Sequence, residues 1–192
     1  MNYIEELTNT KQKKTGSMVA SISSKILQIR KENIKQSLSD LNTIGHRQDH
    51  VATIDGVMYY DDSGAENVNA TWFTFENIVS PVIWIAGGND RDTDFSELKR
   101  VAKKKVKALI CIGKYNANLK NAFQKDIQDI YEVKSLVEAV DTASFLAKHD
   151  DIVLFSPACK SDDENETYVE RGQLFTDTVK ELENNEHHQQ DI

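Results

Sequence analysis

Pro81-Val82-Ile83-Trp84-Ile85-Ala86-Gly87-Gly88 decides how the rest of the chain is read. The apolar run between the proline and the glycines is short for a helix and too uniform for a strand with one wet face. Such a run is expected of a strand covered by helices on both sides, as in a parallel sheet. Ala108-Leu109-Ile110-Cys111-Ile112 and Ile152-Val153-Leu154-Phe155 repeat the pattern downstream. Between and after them, helical spacing appears over residues 95–104, 119–123 and 136–148, a weaker strand over 127–133, and a last helix through Phe175, Val179 and Leu182. Alternating strands and helices predict a doubly wound α/β domain with a mostly parallel sheet.

Upstream, the period changes. Val51-Ala52-Thr53-Ile54, Asp55-Gly56 and Val57-Met58-Tyr59-Tyr60 read as a hairpin, because Asp-Gly supplies the positive φ angles of a tight turn. Val68, Trp72, Phe75 and Val79 mark an amphipathic helix that starts near Asn67, with Asp61-Asp62-Ser63 as its expected caps and Ser80-Pro81 as its stop. Further back, Val19, Ile22, Ile26 and Ile29, then Ile34, Leu38 and Leu41, predict a helical pair over 17–42, and Ser17 is the expected cap of its first helix. Residues 1–16 carry no apolar period and read as a flexible arm. The main domain is expected over 43–184. The tail over 185–192 is polar and read as frayed, its His187-His188 pair as solvated.

The 192 residues include 23 basic and 31 acidic side chains, for a net charge of −8, which makes nonspecific nucleic-acid binding a poor expectation. No apolar run is long enough to cross a bilayer. The opening Met1-Asn2-Tyr3-Ile4-Glu5-Glu6 shows no basic-then-apolar signal region, so a cytoplasmic protein is expected. Cys111 and Cys159 are too few and too far apart for a disulfide framework or a zinc site.

In doubly wound folds, ligands bind at the carboxyl ends of the strands. That rule selects Gly87 to Arg91, Gly113-Lys114-Tyr115, and Ser156 to Ser161. Gly87-Gly88 lets a backbone approach closely, either to a ligand or to the next turn, and Arg91 suits a carboxylate or phosphate. His46-Arg47 can hold phosphate and base, or simply sit at the surface. Asp62 can hold a ribose hydroxyl or a metal-bound water, or cap a helix. Cys159 has no adjacent histidine and reads as a packed small hydrophobe. Asp162, Asp163, Glu164 and Glu166 form an acidic loop. No Gly-x-x-x-x-Gly-Lys-Ser/Thr phosphate loop and no full dinucleotide fingerprint occur.

Several of these stretches are specific when taken together. His46-Arg47, Asp62-Ser63-x-Ala65-x-Asn67-Val68-Asn69-Ala70-Thr71-Trp72, Pro81 to Gly88, Ser156-Pro157-Ala158-Cys159 and Tyr168-x-x-Arg171-Gly172 resemble the Mur ligase family, in its D-glutamate-adding branch. The resemblance implies a Rossmann-like C-terminal domain preceded by the helices that close the family's central domain. Family enzymes phosphorylate a substrate carboxylate with ATP and magnesium, after which the amine of D-glutamate attacks the acyl phosphate. Their ATP loop and metal ligands lie in the central domain, so by resemblance ATP and magnesium belong to the whole enzyme and not to this domain alone. His46, Arg47 and Asp62 match nucleotide-facing positions. Gly64 stands for a lysine and Glu66 for a threonine at the reacting end, Arg91 for a carboxylate-gripping lysine, Ser161-Asp162 for a Ser-Leu pair, and Tyr168 for a phenylalanine. These exchanges remove one cation and add two carboxylates at an anion site, a swing of about three charges. At an effective dielectric near 20, each nearby charge is worth on the order of 1–4 kcal/mol. Three functions follow as expectations. The first is a binding or regulatory module that is not catalytic alone and takes a protein partner or a small molecule, with the N-terminal helices as the surface for a partner or a homodimer. The second is one part of a ligase completed by another chain. The third is a nucleotide-binding protein.

Overall fold

The computed structural model describes residues 45–79 and 81–190, with side chains to residue 185. The expectations for the arm, the helical pair, its apolar stripe and any partner surface there fall outside the described residues, as do Ser80 and the side chains of His187 and His188. The elements run β1 Asp49–Ile54, β2 Val57–Asp61, α1 Val68–Asn77, β3 Val82–Asn89, a 3-10 turn Ser96–Leu98, α2 Lys99–Lys105, β4 Val106–Tyr115, α3 Ala117–Phe123, β5 Asp129–Val133, α4 Leu136–Leu146, β6 Ile152–Phe155 and α5 Tyr168–Gln190.

The six strands form one sheet in the order β1-β2-β6-β3-β4-β5. Only the β1–β2 hairpin is antiparallel, and the other pairings are parallel. Asp55 and Gly56 sit at φ 48° and 78°, the values of the tight turn that Asp-Gly favours. Ile85 lies level with Ile110 on one side and Phe155 on the other, which brings three strand ends to the same height.

Alternation along each strand splits the core in two. Ile83, Ile85, Ile110, Val153 and Phe155 pack with α4 and α5 through Val140, Phe175 and Val179. Trp84 points the other way, with its ring 5.1 Å from Phe75 of α1 and 5.3 Å from Phe123 of α3. Its indole N–H donates to the Ser156 carbonyl at 2.7 Å, so the buried ring also ties β3 to the loop after β6. Helices on both faces make the fold doubly wound, as the continuous apolar runs imply.

Local departures have identifiable causes. Helix α1 ends at Asn77, and Val79 is 95% exposed instead of extending the buried stripe. Its N-cap is Asn67, whose side chain accepts from the Ala70 N–H at 3.0 Å. Asp61-Asp62-Ser63 does not cap it, because these residues still belong to the end of β2 and its turn. The expected helix over 95–104 begins as a 3-10 turn, and α2 runs from Lys99. The backbone of α5 stays helical through Gln190, beyond the point where the apolar period fades and a frayed tail was expected. Among the described residues, no helix is long and apolar enough to cross a membrane.

Candidate functional site

The chain leaves β3 toward the α1–α3 face and leaves β6 toward the α4–α5 face, so a crevice opens between their carboxyl ends. The loop after β6 fills its middle. Gly87 donates its N–H to the Pro157 carbonyl at 3.1 Å, and Asn89 donates to the Lys160 carbonyl at 2.9 Å. Gly87 and Gly88 take φ 127° and 138°, and a Cβ on either would overlap a backbone carbonyl, that of Ile112 or Lys160. The glycine pair therefore admits neighbouring backbone, the tight-turn alternative of the sequence reading. Ala158, held at φ 61°, donates its N–H to the Ala65 carbonyl and closes the other side of the loop.

Two clefts remain, one on each side of this plug. The larger, about 510 Å³, lies under α4 and α5 and is walled by Gly88, Lys114, Lys134, Ser161, Asp162 and Arg171, among others. The smaller, about 440 Å³, opens beside the start of α1, along Glu66, Asn67, Asn69, Asn89, Asp92 and Lys160.

His46, Arg47 and Asp62 gather at the end of β2. His46, at φ 69°, places Nδ1 2.5 Å from Asp61 Oδ2, with the Tyr168 ring edge-on at 6.4 Å. Gly172 of α5 packs directly on this pair, and a Cβ there would overlap His46 Nδ1 and Ser63 Oγ. Arg47 places Nε 3.2 Å from Asp62 Oδ1 and donates through Nη1 to the Gly64 carbonyl at 3.2 Å. Gly64 is close against it, since a Cβ would stand 2.9 Å from Arg47 Cδ. Asp62 is fully buried, and its Oδ2 accepts from Thr74 Oγ1 at 2.7 Å and Ser156 Oγ at 2.8 Å. Burial pushes its carboxyl up to about 6, against the pull of Arg47.

This arrangement does not fit a bound nucleotide. Asp62 has no exposed surface for a ribose hydroxyl, and the facing groups of His46 and Arg47 are committed to Asp61 and Asp62.

The acceptor-side positions are dispersed. Glu66 Oε1 accepts from Arg171 Nη2 at 2.9 Å, while Arg171 itself is buried on α5. Arg91 turns away and lays its guanidinium 3.6 Å above the Tyr115 ring, lining neither cleft. Ser161 donates to Glu166 at 2.5 Å, and Asp162 accepts from the Lys114 N–H at 3.2 Å. The charge balance inferred from the sequence therefore needs correcting. The carboxylate of Glu66 is neutralised by Arg171, so of the two exchanged carboxylates Asp162 alone stays without a cation, beside Glu166 on the wall of the larger cleft. The helix over 136–148 was expected and α4 begins at Leu136, but Lys134 and the N-cap Ser135 were not among the positions selected for the site, although Ser135 and Glu138 have the spacing of a capping box.

Cys111 and Cys159 are both buried, and burial pushes each thiol up to about 12. Neither is expected to react with a disulfide reagent at pH 8 until denaturant is added, when both should react. Labelling of Cys159 in the folded protein would contradict its packed role.

Residues 46–159 match the Mur ligase family by its glutamate ligase domain. The chain is 39% identical over 167 residues to a UDP-N-acetylmuramoylalanine–D-glutamate ligase of Christiangramia forsetii, covering 87% of this chain and 38% of that protein. A ligase of the same name from Bacteroides thetaiotaomicron is 35% identical over 180 residues, covering 93% and 40%. The chain thus spans about two fifths of the length of these relatives. Among solved structures, a bifunctional folylpolyglutamate synthase/dihydrofolate synthase of Yersinia pestis, complexed with AMPPNP and Mn ion, shares the fold. Its TM-score is 0.50 at 14% identity, over 70% of this chain and 31% of that one.

Proposed function

This chain belongs to the Mur ligase family through its glutamate ligase domain, and from that membership we propose that it is a binding or regulatory module of peptidoglycan-precursor synthesis that does not add D-glutamate by itself. The observation that supports this reading most is the state of its two acceptor-side guanidinium groups. Arg171 is occupied by Glu66 at 2.9 Å, and Arg91 is stacked on Tyr115 at 3.6 Å. Arg91 faces neither cleft, and Arg171 reaches the larger one with its Nη2 already engaged by Glu66, so no free guanidinium fork is turned into a cleft to receive a carboxylate. The side chains at the nucleotide-facing positions are likewise turned on one another.

The purified chain is expected to release no phosphate when given ATP, magnesium, UDP-N-acetylmuramoylalanine and D-glutamate together. Calorimetric titration with D-glutamate alone is expected to show no saturable heat at millimolar concentration. Ligation product formed by the chain alone would overturn the reading. A second reading has one observation in its favour, that the matched relatives are some two and a half times longer than the matched stretch. On that reading the domain completes a ligase whose remaining parts lie on other polypeptide. Product formed only after such parts are added back would select it.

A further inference from the structure

The Glu66–Arg171 contact joins the two clefts. Arg171 sits in the first turn of α5, 4% exposed, and forms part of the wall of the 510 Å³ cleft. Glu66 is 28% exposed and lies along the other cleft, where water reaches its carboxylate. The pairing is half made. Glu66 takes a single hydrogen bond from Nη2, while Arg171 Nε is buried with no hydrogen-bond partner at all. A guanidinium fork that meets a carboxylate side-on satisfies two donors at once, so the present contact leaves a better one available.

The rest of the larger cleft is built for such an anion on one side only. Lys114 and Lys134 stand on its wall, and α4 opens onto it at Ser135. Asp162 and Glu166 face the cleft with the opposite sign, and Glu166 is held back by Ser161 at 2.5 Å.

We propose that Glu66 is a tethered ligand: from within the chain, its carboxylate occupies a carboxylate-binding site anchored by Arg171, and small free carboxylates entering the larger cleft compete with it. This builds on the reading of the domain as a binding module and gives that site a regulation, in which occupancy depends on whether Glu66 lets go. Release of Glu66 frees Arg171 Nη2 and lets the side chain turn Nε toward the cleft, beside Lys134. A dicarboxylate suits the geometry, because its far end can then meet Lys114. Asp162 and Glu166 set the orientation by keeping both carboxylates of the ligand away from their side.

The test is titration of the folded chain with glutarate, read through the arginine Nε–H signals and the backbone amides in nitrogen–proton correlation spectra. Wild type is expected to bind weakly. Glu66→Gln, which keeps the shape and removes the charge, is expected to bind glutarate at least about tenfold more tightly, with the Arg171 Nε–H signal shifting in step. Glu66→Ala should behave alike, and Lys134→Ala in the Glu66→Gln background should undo most of the gain. Equal glutarate affinity in wild type and both Glu66 variants overturns the proposal. So does loss of the folded spectrum in both Glu66 variants, which would make the pair a structural strut. Ligation by the wild-type chain would end the proposed function while leaving this result standing, so the two fail separately.

Discussion

Replacing Arg47 by methionine is expected to lower the unfolding free energy of the domain by about 3–5 kcal/mol at pH 8, and by much less at pH 4.5. The pair that Arg47 makes with Asp62 is nearly dry, with side-chain exposures of 10% and 0%. Removing one member leaves a carboxylate that is buried and lacks its cation, held only by the hydroxyls of Thr74 and Ser156. The pH window follows from the direction in which Asp62 is perturbed. Burial raises its folded value from 3.8 to about 6, so the folded state holds the proton more tightly than the unfolded chain does. In wild type, this group's contribution to stability therefore grows as pH falls through about 6 and levels off near 3.8. It amounts to about 3 kcal/mol at roughly 1.4 kcal/mol per pH unit. Without Arg47, the opposing attraction is gone and the carboxyl stays neutral to higher pH, so the variant's loss shrinks once the buried acid is protonated. Urea unfolding of both proteins at the two pH values cancels the surface carboxylates they share. A loss of similar size at both pH values would show that Arg47 acts by packing alone. Asp62→Asn should remove this pH dependence in either background.

The same pair marks where sequence reasoning stops. The strands were legible because burial on both faces leaves an unbroken apolar run, and the hairpin was legible because Asp55-Gly56 has a local conformational reason to turn. Such signals are complete within a few residues. Glu66 and Arg171 are 105 positions apart, and Asp62 and Ser156 are 94 apart. Each of these side chains read alone looks like a free charge or a helix cap. Only the β2–β6 pairing, which sets Asp61 level with Phe155, brings the end of β2 beside the loop after β6. Arg91 shows the same limit at shorter range. Its position after a Gly-Gly loop suits an anion, but Tyr115 at the end of the neighbouring strand offers its ring face first. Resemblance to a family supplied the residue positions, and the contacts around them decided what each side chain faces. Glu66 was read as a repulsive carboxylate, yet it is the partner of a buried cation.

Gly88→Ala is expected to destabilise the domain by about 3 kcal/mol or more, and to do so by taking the candidate site apart. The position combines two demands that only glycine meets together. Its φ of 138° is strained for any residue with a side chain, and the added Cβ would overlap the Lys160 carbonyl. Relief requires the loop after β6 to move away from β3. That movement breaks the bond from Asn89 to Lys160 and loosens the one from Gly87 to Pro157. Once the loop lifts, the wall between the two clefts is lost and Cys159, 3% exposed in the folded domain, comes within reach of solvent. The variant should thus show a lower urea midpoint together with thiol labelling of Cys159 under native conditions. Gly45→Ala is the matched control, because a Cβ there meets nothing nearer than Asp49 Oδ2 at 3.9 Å, and its midpoint should stay at the wild-type value. The two outcomes separate competing reasons for the glycine pair. If Gly88 exists to let a ligand approach, alanine should cost binding while leaving the fold and the thiol untouched. If it exists to admit the neighbouring backbone, stability and shielding of Cys159 should fall together, before any ligand is added.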